Sequence, residues 1–104
     1  MDFKGRDGLG SLPNRAGNMI IEELNLAVKF AKAGKKFDAL ARLDVAAKEI
    51  NDLAILAQND TARRKKLRKV YIFMARAGNN IDNPKKFIAD LFIARALIKK
   101  FKLE

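Results

Sequence analysis

The 104-residue chain contains no cysteine, histidine or tryptophan, and only two prolines and one tyrosine. Without cysteine or histidine it cannot form disulfides, Cys/His zinc or haem sites, or a catalytic imidazole. No apolar run approaches the roughly 20 residues that a transmembrane helix requires. The first ten residues include Asp2 and Asp7 and lack an apolar core, so no secretory signal is visible and we expect a cytoplasmic protein.

The length and composition indicate one small globular domain. Hydrophobic residues make up 49% of the chain and charged residues 33%, which is typical of a folded chain rather than a disordered one. Gly5, Gly8 and Gly10 lie close together near the N-terminus. We therefore predict a flexible N-terminal arm over residues 1–11 and a single helical domain over residues 12–104.

Apolar residues recur at helical spacing along four segments, and no sustained alternation indicates a strand. The sequence predicts an all-α protein, a four-helix bundle with helices at about 13–33, 36–58, 61–77 and 84–102. Pro13 and the Asn83-Pro84 pair are helix start signals. We expect Gly34 and Gly78 to end the first and third helices.

The apolar stripes are wider than an isolated bundle needs. In helix three Leu67, Val70, Tyr71 and Met74 form the core-facing stripe, and Phe37 widens the core-facing side of helix two. Further apolar residues lie off these stripes: Leu26, Phe30, Val45, Ile72 and Phe73. Two interpretations stay open, because these residues either bury within a tight bundle or serve a homo-oligomer or a partner protein.

The positive charge is concentrated in the second part of the chain. Residues 1–60 hold 9 Lys/Arg and 9 Asp/Glu, whereas residues 61–104 hold 13 Lys/Arg and 3 Asp/Glu, which accounts for the whole net charge of +10. A one-sided positive field attracts polyanions, of which nucleic acid is the commonest. An acidic protein and an anionic membrane surface are the other partners that this charge allows.

The strongest local motif is basic, since six of the seven residues from Arg63 to Lys69 are Lys or Arg. Such a helix face suits contacts with backbone phosphates and lacks the Asn/Gln spacing of base recognition. A solvated, solubilising face is the alternative. Among the aromatic residues, Phe73 is the best candidate for base stacking, although packing in the core also explains it. The predicted nucleic-acid-binding residues are Arg63, Arg64, Lys65, Lys66, Arg68, Lys69, Arg76, Lys85, Lys86, Lys99 and Lys100.

Nothing in the sequence indicates catalysis. There is no glycine-rich phosphate loop and no nucleophile elbow, and the carboxylates do not converge as a metal or general-base site requires. We therefore expect a binding protein that is not an enzyme and that has no metal or cofactor.

From Leu12 to Ile81 the chain resembles the accessory variability determinant proteins of diversity-generating retroelements, a four-helix-bundle family that shades into small proteins encoded in ribosomal RNA intervening sequences. Three segments carry the resemblance. They are residues 12–15 (LPNR) leading into 20–24 (IIEEL), residues 39–44 (ALARLD) opening a long second helix, and a basic third helix that ends with residues 76–78 (RAG).

The resemblance implies a basic homo-oligomer, often a pentameric ring, that binds a reverse transcriptase and nucleic acid and has no chemistry of its own. The basic third helix would hold the template RNA or cDNA. Two alternatives remain at this stage. One is a basic helical small subunit of an RNA-guided complex of the CRISPR type. The other is a structural protein that binds an acidic partner or a membrane surface, with membrane contact the least expected because the apolar stripes look like bundle core.

Overall fold

The chain forms four α-helices in a computed structural model that describes the backbone of residues 12–102 and the side chains of residues 17–102. They are α1 (Leu12–Lys32), α2 (Lys36–Leu56), α3 (Thr61–Asn79) and α4 (Pro84–Lys100). No strand occurs within the described backbone. The all-α four-helix bundle is confirmed, and the N-terminal arm predicted over residues 1–11 lies outside the described residues.

The helices pack in chain order around a square: α1 against α2, α2 against α3, α3 against α4, and α4 against α1. Links of three or four residues join them, so neighbouring helices run antiparallel. An ion pair joins Lys36, the first residue of α2, to Asp82 in the link 80–83. We call this end of the bundle, which holds the links 33–35 and 80–83, the hairpin end. The opposite end holds the start of α3 and the end of α4, and we call it the basic end.

Each helix contributes large side chains to one shared core. The largest side chains with almost no exposed surface are Phe87, Ile20, Leu24, Ile50, Leu67, Met74, Leu91, Ile98 and Val70. Alanines such as Ala27, Ala46 and Ala94 fill the remaining core positions. Because alanine lacks a bulky side chain, these positions let the helix axes approach closely.

Gly34 ends α1 as the sequence predicts. Its φ of +76° lies in the left-handed region, where a residue with a Cβ is strained. The Gly34 N–H donates to the Ala31 carbonyl at 3.1 Å, and the Lys35 N–H donates to the Phe30 carbonyl at 2.8 Å. This pair of hydrogen bonds is the Schellman arrangement, which satisfies carbonyls at the end of a helix.

Side-chain caps fix the starts of α3 and α4. The Asp60 carboxylate accepts from the Arg63 N–H at 3.0 Å, and the Asn83 side chain accepts from the Lys86 N–H at 3.3 Å. Pro84 occupies the first turn of α4, where its missing N–H costs nothing. The Asn83-Pro84 start signal predicted for α4 is therefore confirmed.

Gly78 does not end α3, which was the wrong prediction among the helix ends. The last residue of the helix is Asn79, and Asn80 is its C-cap. The Asn80 N–H donates to the Ala77 carbonyl at 2.9 Å, and the Asn80 side-chain amide donates to the Arg76 carbonyl at 3.0 Å. The other ends come one or two residues earlier than predicted: α1 at Lys32, α2 at Leu56 and α4 at Lys100, each followed by turn residues.

The surplus apolar residues divide between the interior of the bundle and its surface. Phe30 and Phe73 are half-buried and pack against the core. Val45 and Ile72 stay 42% and 48% exposed. Phe37, which the sequence placed toward the core, is 81% exposed because it lies in the first turn of α2, on the outer side of the α2–α3 pair.

We predict that alanine has opposite effects at the two glycines. Gly34→Ala should lower the free energy of unfolding by roughly 1–2 kcal/mol, because a Cβ is disfavoured at left-handed φ. Gly78→Ala should raise it by up to about 1 kcal/mol, because the residue is helical and its new Cβ would lie 3.6 Å from Leu43, an ordinary contact. Urea denaturation monitored by far-ultraviolet circular dichroism measures both. Equal destabilisation of the two variants would contradict this assignment of the helix ends.

Candidate nucleic-acid interface

The cations of α3 project outward because its apolar residues fix how the helix rotates against the core. Leu67 and Val70 are fully buried. With those two positions pointing inward, Arg64, Lys65, Lys66, Arg68 and Lys69 are all exposed, and Arg63 is half-buried. The first half of α3 is therefore a dense basic surface at the basic end of the bundle.

The cations of α3 differ in how far their side chains are already engaged. Arg64 donates to the Gln58 carbonyl at 3.3 Å, and the Lys66 ammonium lies 5.7 Å from the centre of the Phe101 ring. Among the described residues, Lys65, Arg68 and Lys69 make no side-chain hydrogen bond, ion pair or cation–π contact. These three cations are the ones most available to an incoming anion.

Arg76, predicted with the same set, lies seven residues beyond Lys69 on α3, and its side chain is already engaged. Its guanidinium lies 5.2 Å from the centre of the Phe73 ring and 3.9 Å from the carboxylate of Asp90. Twelve residues of helix separate it from Arg64, a rise of roughly 18 Å at 1.5 Å per residue. Arg76 therefore bridges α3 to α4 toward the hairpin end.

Asp90 is a buried carboxylate that the sequence reading missed. It is 6% exposed and lies 3.5 Å from the Asn80 side-chain amide, in addition to its contact with Arg76. Its position was visible in the sequence, since it follows Phe87 by three residues and precedes Ala94 by four, within the core-facing spacing of helix four. An acidic residue at such a position needs polar partners, and these residues provide them.

The predicted lysines of α4 fall into two groups. Lys99 and Lys100 occupy the last turn of α4 at the basic end, and the next residue, Phe101, contacts Lys66 of α3. Lys85 and Lys86 lie in the first turn, roughly 20 Å away along the helix at 1.5 Å per residue. The structure thus places Lys99 and Lys100 at the same end of the bundle as the α3 cluster and leaves Lys85 and Lys86 at the opposite end.

A groove of about 330 Å³ opens between α2 and α3 beside this cluster, and we call it the basic groove. It has an apolar floor, three cations and three further polar or aromatic side chains. Its lining consists of Ile50, Ala54 and Leu67, then Arg64, Lys65 and Arg68, then Asn51, Thr61 and Tyr71. Cations on an apolar floor suit a ligand that has both a charged and a flat apolar part.

A second groove of about 460 Å³ lies along the same pair of helices toward the hairpin end. Small residues line its sides, including Ala47 on α2 and Ala75 and Gly78 on α3, so the two helices do not close over the surface there. Tyr71 lines both grooves and marks the boundary between them.

The exposed aromatic residue beside the cations is Tyr71, which corrects one prediction. The sequence placed Tyr71 in the core stripe of helix three, but it is 45% exposed. Phe73, for which stacking and core packing were both open, is half-buried against the core and Arg76, as packing requires. The tyrosine hydroxyl was the available signal, because tyrosine favours positions with one apolar side and one wet side.

Acidic side chains gather away from the basic groove, where α1 faces α2. Glu23 pairs with Arg42 at 3.3 Å. Partial burial raises the pKa of Glu49, and the nearby carboxylates of Glu23 and Asp52 raise it further. Within the described residues most carboxylates lie on α1 and α2, where lysines and arginines balance them, while α3 and α4 carry the excess positive charge.

The described residues contain neither a metal site nor a membrane-spanning helix. No three or more acidic side chains come together there in a way that could hold a metal ion. None of the helices in the described part of the chain is both long and apolar enough to cross a membrane.

No protein-family model matches this chain, and neither a curated protein nor a solved structure matches it. The resemblance to retroelement accessory proteins, drawn from the sequence, therefore stays a prediction.

We predict that Glu49→Gln stabilises the fold at neutral pH. The raised pKa of Glu49 means that the folded state disfavours its ionised form relative to the unfolded chain, and glutamine removes that penalty. The advantage should shrink as the pH falls through the raised pKa, and it should vanish below the ordinary value of 4.5, where the carboxyl is protonated in both states. Chemical denaturation at several pH values measures this difference.

Glu22→Gln is the matched control, because it removes one carboxylate from an exposed position of α1. If the stability difference between Glu49→Gln and the unmodified protein were independent of pH, a raised pKa of Glu49 would not be its cause.

Proposed function

We propose that the protein binds the phosphate backbone of nucleic acid and catalyses no reaction. The observation that carries the proposal is the first half of α3, where Lys65, Arg68 and Lys69 are exposed with no side-chain partner among the described residues. Lys99 and Lys100 extend the same positive surface from α4. Each such cation that contacts a phosphate releases condensed counterions, which favours binding without regard to sequence.

The arrangement has an internal cost that a polyanion would relieve. Cations at positions i, i+1, i+4 and i+5, such as Arg64, Lys65, Arg68 and Lys69, repel one another along the helix. They also lie near the N-terminus of α3, where the helix dipole disfavours positive charge. The Asp60 cap offsets part of this cost with one carboxylate. A bound chain of phosphates supplies the remaining negative charge.

On the resemblance alone, we extend the proposal to a biological role. The protein would be an accessory subunit that assists the reverse transcriptase of a diversity-generating retroelement, holding template RNA or cDNA on its basic end. Apolar side chains outside the grooves, such as Leu56 and Ile55, which are 81% and 64% exposed, would then serve contacts with the polymerase or between copies in a homo-oligomer.

Reversing the charge of the α3 cluster tests the proposed interface. We predict that the quadruple variant Arg64→Glu, Lys65→Glu, Arg68→Glu and Lys69→Glu loses most of its affinity for both single-stranded RNA and duplex DNA. In the unmodified protein, the logarithm of affinity against the logarithm of salt concentration should have a slope of about −3 or steeper, as expected for four or more phosphate contacts. The variant's slope should be shallower. Fluorescence anisotropy with labelled oligonucleotides over a salt series measures both quantities.

A matched control changes the net charge equally and leaves the basic end intact. This control also replaces four exposed basic residues with glutamate, in the quadruple variant Lys29→Glu, Lys32→Glu, Lys35→Glu and Lys48→Glu. It should retain most of the affinity, with only the loss that a lower overall charge causes. Equal loss in the two quadruple variants would mean that net charge, and not the α3 surface, determines binding.

A further inference from the structure

We propose that the basic groove holds an unstacked base of single-stranded nucleic acid, with the base against Tyr71 and the flanking phosphates on Arg64, Lys65 and Arg68. The inference rests on the proposed function and makes it more specific. The α3 surface alone would accept the backbone of any polyanion, whereas the groove adds a site that only an exposed base can enter.

The shape and chemistry of the groove fit a base. Its volume of about 330 Å³ lies at the lower end of the range for small-ligand sites, about 300–1,000 Å³. The floor of Ile50, Ala54 and Leu67 is apolar, as a flat aromatic ring requires. In a duplex the bases are paired and stacked, so the same surface would meet only phosphates.

Tyr71 is placed to stack while the arginines hold phosphates. It follows Arg68 by three residues and Arg64 by seven, so the three side chains lie on one flank of α3, one helical turn apart. All three line the basic groove, and the tyrosine side chain is 45% exposed. An exposed aromatic ring next to cations is the combination that proteins use to bind single strands with little sequence preference.

Asn51 adds a polar group on the facing helix. It lies on α2 and lines the groove opposite Tyr71, and it is exposed. Its side-chain amide has both donors and an acceptor, so it can pair with the hydrogen-bonding edge of a base that is stacked on the tyrosine. This contact would give a modest base preference on top of stacking.

The protein carries a natural probe for this site, because Tyr71 is its only tyrosine and it has no tryptophan. The full chain is titrated at low salt with an oligothymidylate and, separately, with a DNA duplex of the same number of phosphates. Tyrosine emission is recorded together with the anisotropy of labelled probes. The nucleic acid also absorbs light, so the emission is corrected with a parallel titration of N-acetyltyrosinamide. We expect the single strand to quench Tyr71 emission and the duplex to bind without quenching.

Substitutions at two aromatic residues separate stacking from other effects. Tyr71→Ala should weaken binding of the single strand by roughly 5- to 100-fold, the usual effect of removing one stacking ring, and should change duplex binding little. Tyr71→Phe keeps the ring and should retain the affinity. Phe92→Ala is the matched control, since Phe92 is 40% exposed on α4 with the Arg95 guanidinium 4.7 Å from its ring centre. It should bind both ligands like the unmodified protein.

The outcomes distinguish the two proposals. Binding of both ligands with no quenching, and with Tyr71→Ala at full affinity, would overturn the base site and leave phosphate binding standing. Equal weakening of single-strand and duplex binding by Tyr71→Ala would also overturn the base site, since the ring would then support the surface without touching a base. No binding of either ligand at low salt would overturn the proposed function and the base site together.

Discussion

Burial of one apolar stripe on α3 is the constraint on which the rest of the structure depends. Leu67, Val70, Met74 and Ala77 are all buried, so the rotation of α3 about its axis is fixed. This rotation also fixes the direction of the neighbouring side chains, and most of the cations between Arg63 and Lys69 point to solvent. The loss of a buried leucine typically costs about 2–5 kcal/mol, which exceeds the few tenths of a kcal/mol by which neighbouring cations repel one another. Packing therefore holds a repulsive surface in place.

The same packing separates the charges by helix pair. The carboxylates of Glu23, Glu49 and Asp52 cluster on the side of α1 and α2, where their mutual repulsion and partial burial raise the pKa of Glu49. The excess positive charge lies on α3 and α4. Because residues 1–60 are neutral overall and residues 61–104 carry the whole excess of +10, the positive field is one-sided and guides an anionic partner to that side. The α2–α3 groove lies on the positive side, which is why a phosphate-bearing ligand would reach it first.

Much of the fold could be predicted from the sequence, because its signals are local. Asp60, Asn83 and Pro84 start helices through their own side chains, and the apolar spacing gives the helix that follows. The two glycines show the limit of local signals. Gly34 adopts a left-handed φ and ends its helix, whereas Gly78 stays helical and α3 ends two residues later at Asn80, whose side-chain amide donates to the Arg76 carbonyl.

Only part of the candidate site could be predicted from the sequence, because the rest depends on contacts between helices. The basic cluster is a run in the sequence and could be read directly. The groove depends on which side of α3 faces α2. Apolar periodicity predicts the core-facing side of a helix, but it does not predict which helices pack against its two flanks. Tyr71 therefore looked like core but is exposed, whereas Phe73, for which stacking and core packing were both open, packs against the core. The contact of Arg76 with Asp90 could not be predicted for the same reason, because Asp90 comes from another helix.

The most direct measurement is an amide chemical-shift map of the full chain titrated with a short single-stranded oligonucleotide. Binding at the basic end predicts that the perturbed amides cluster in the first half of α3, in the part of α2 around Ile50 and Ala54 that lines the groove, and in the last turn of α4. Perturbations centred on α1, or on the hairpin end around Lys85 and Lys86, would contradict the proposed interface. An unchanged spectrum at low salt would contradict nucleic-acid binding itself.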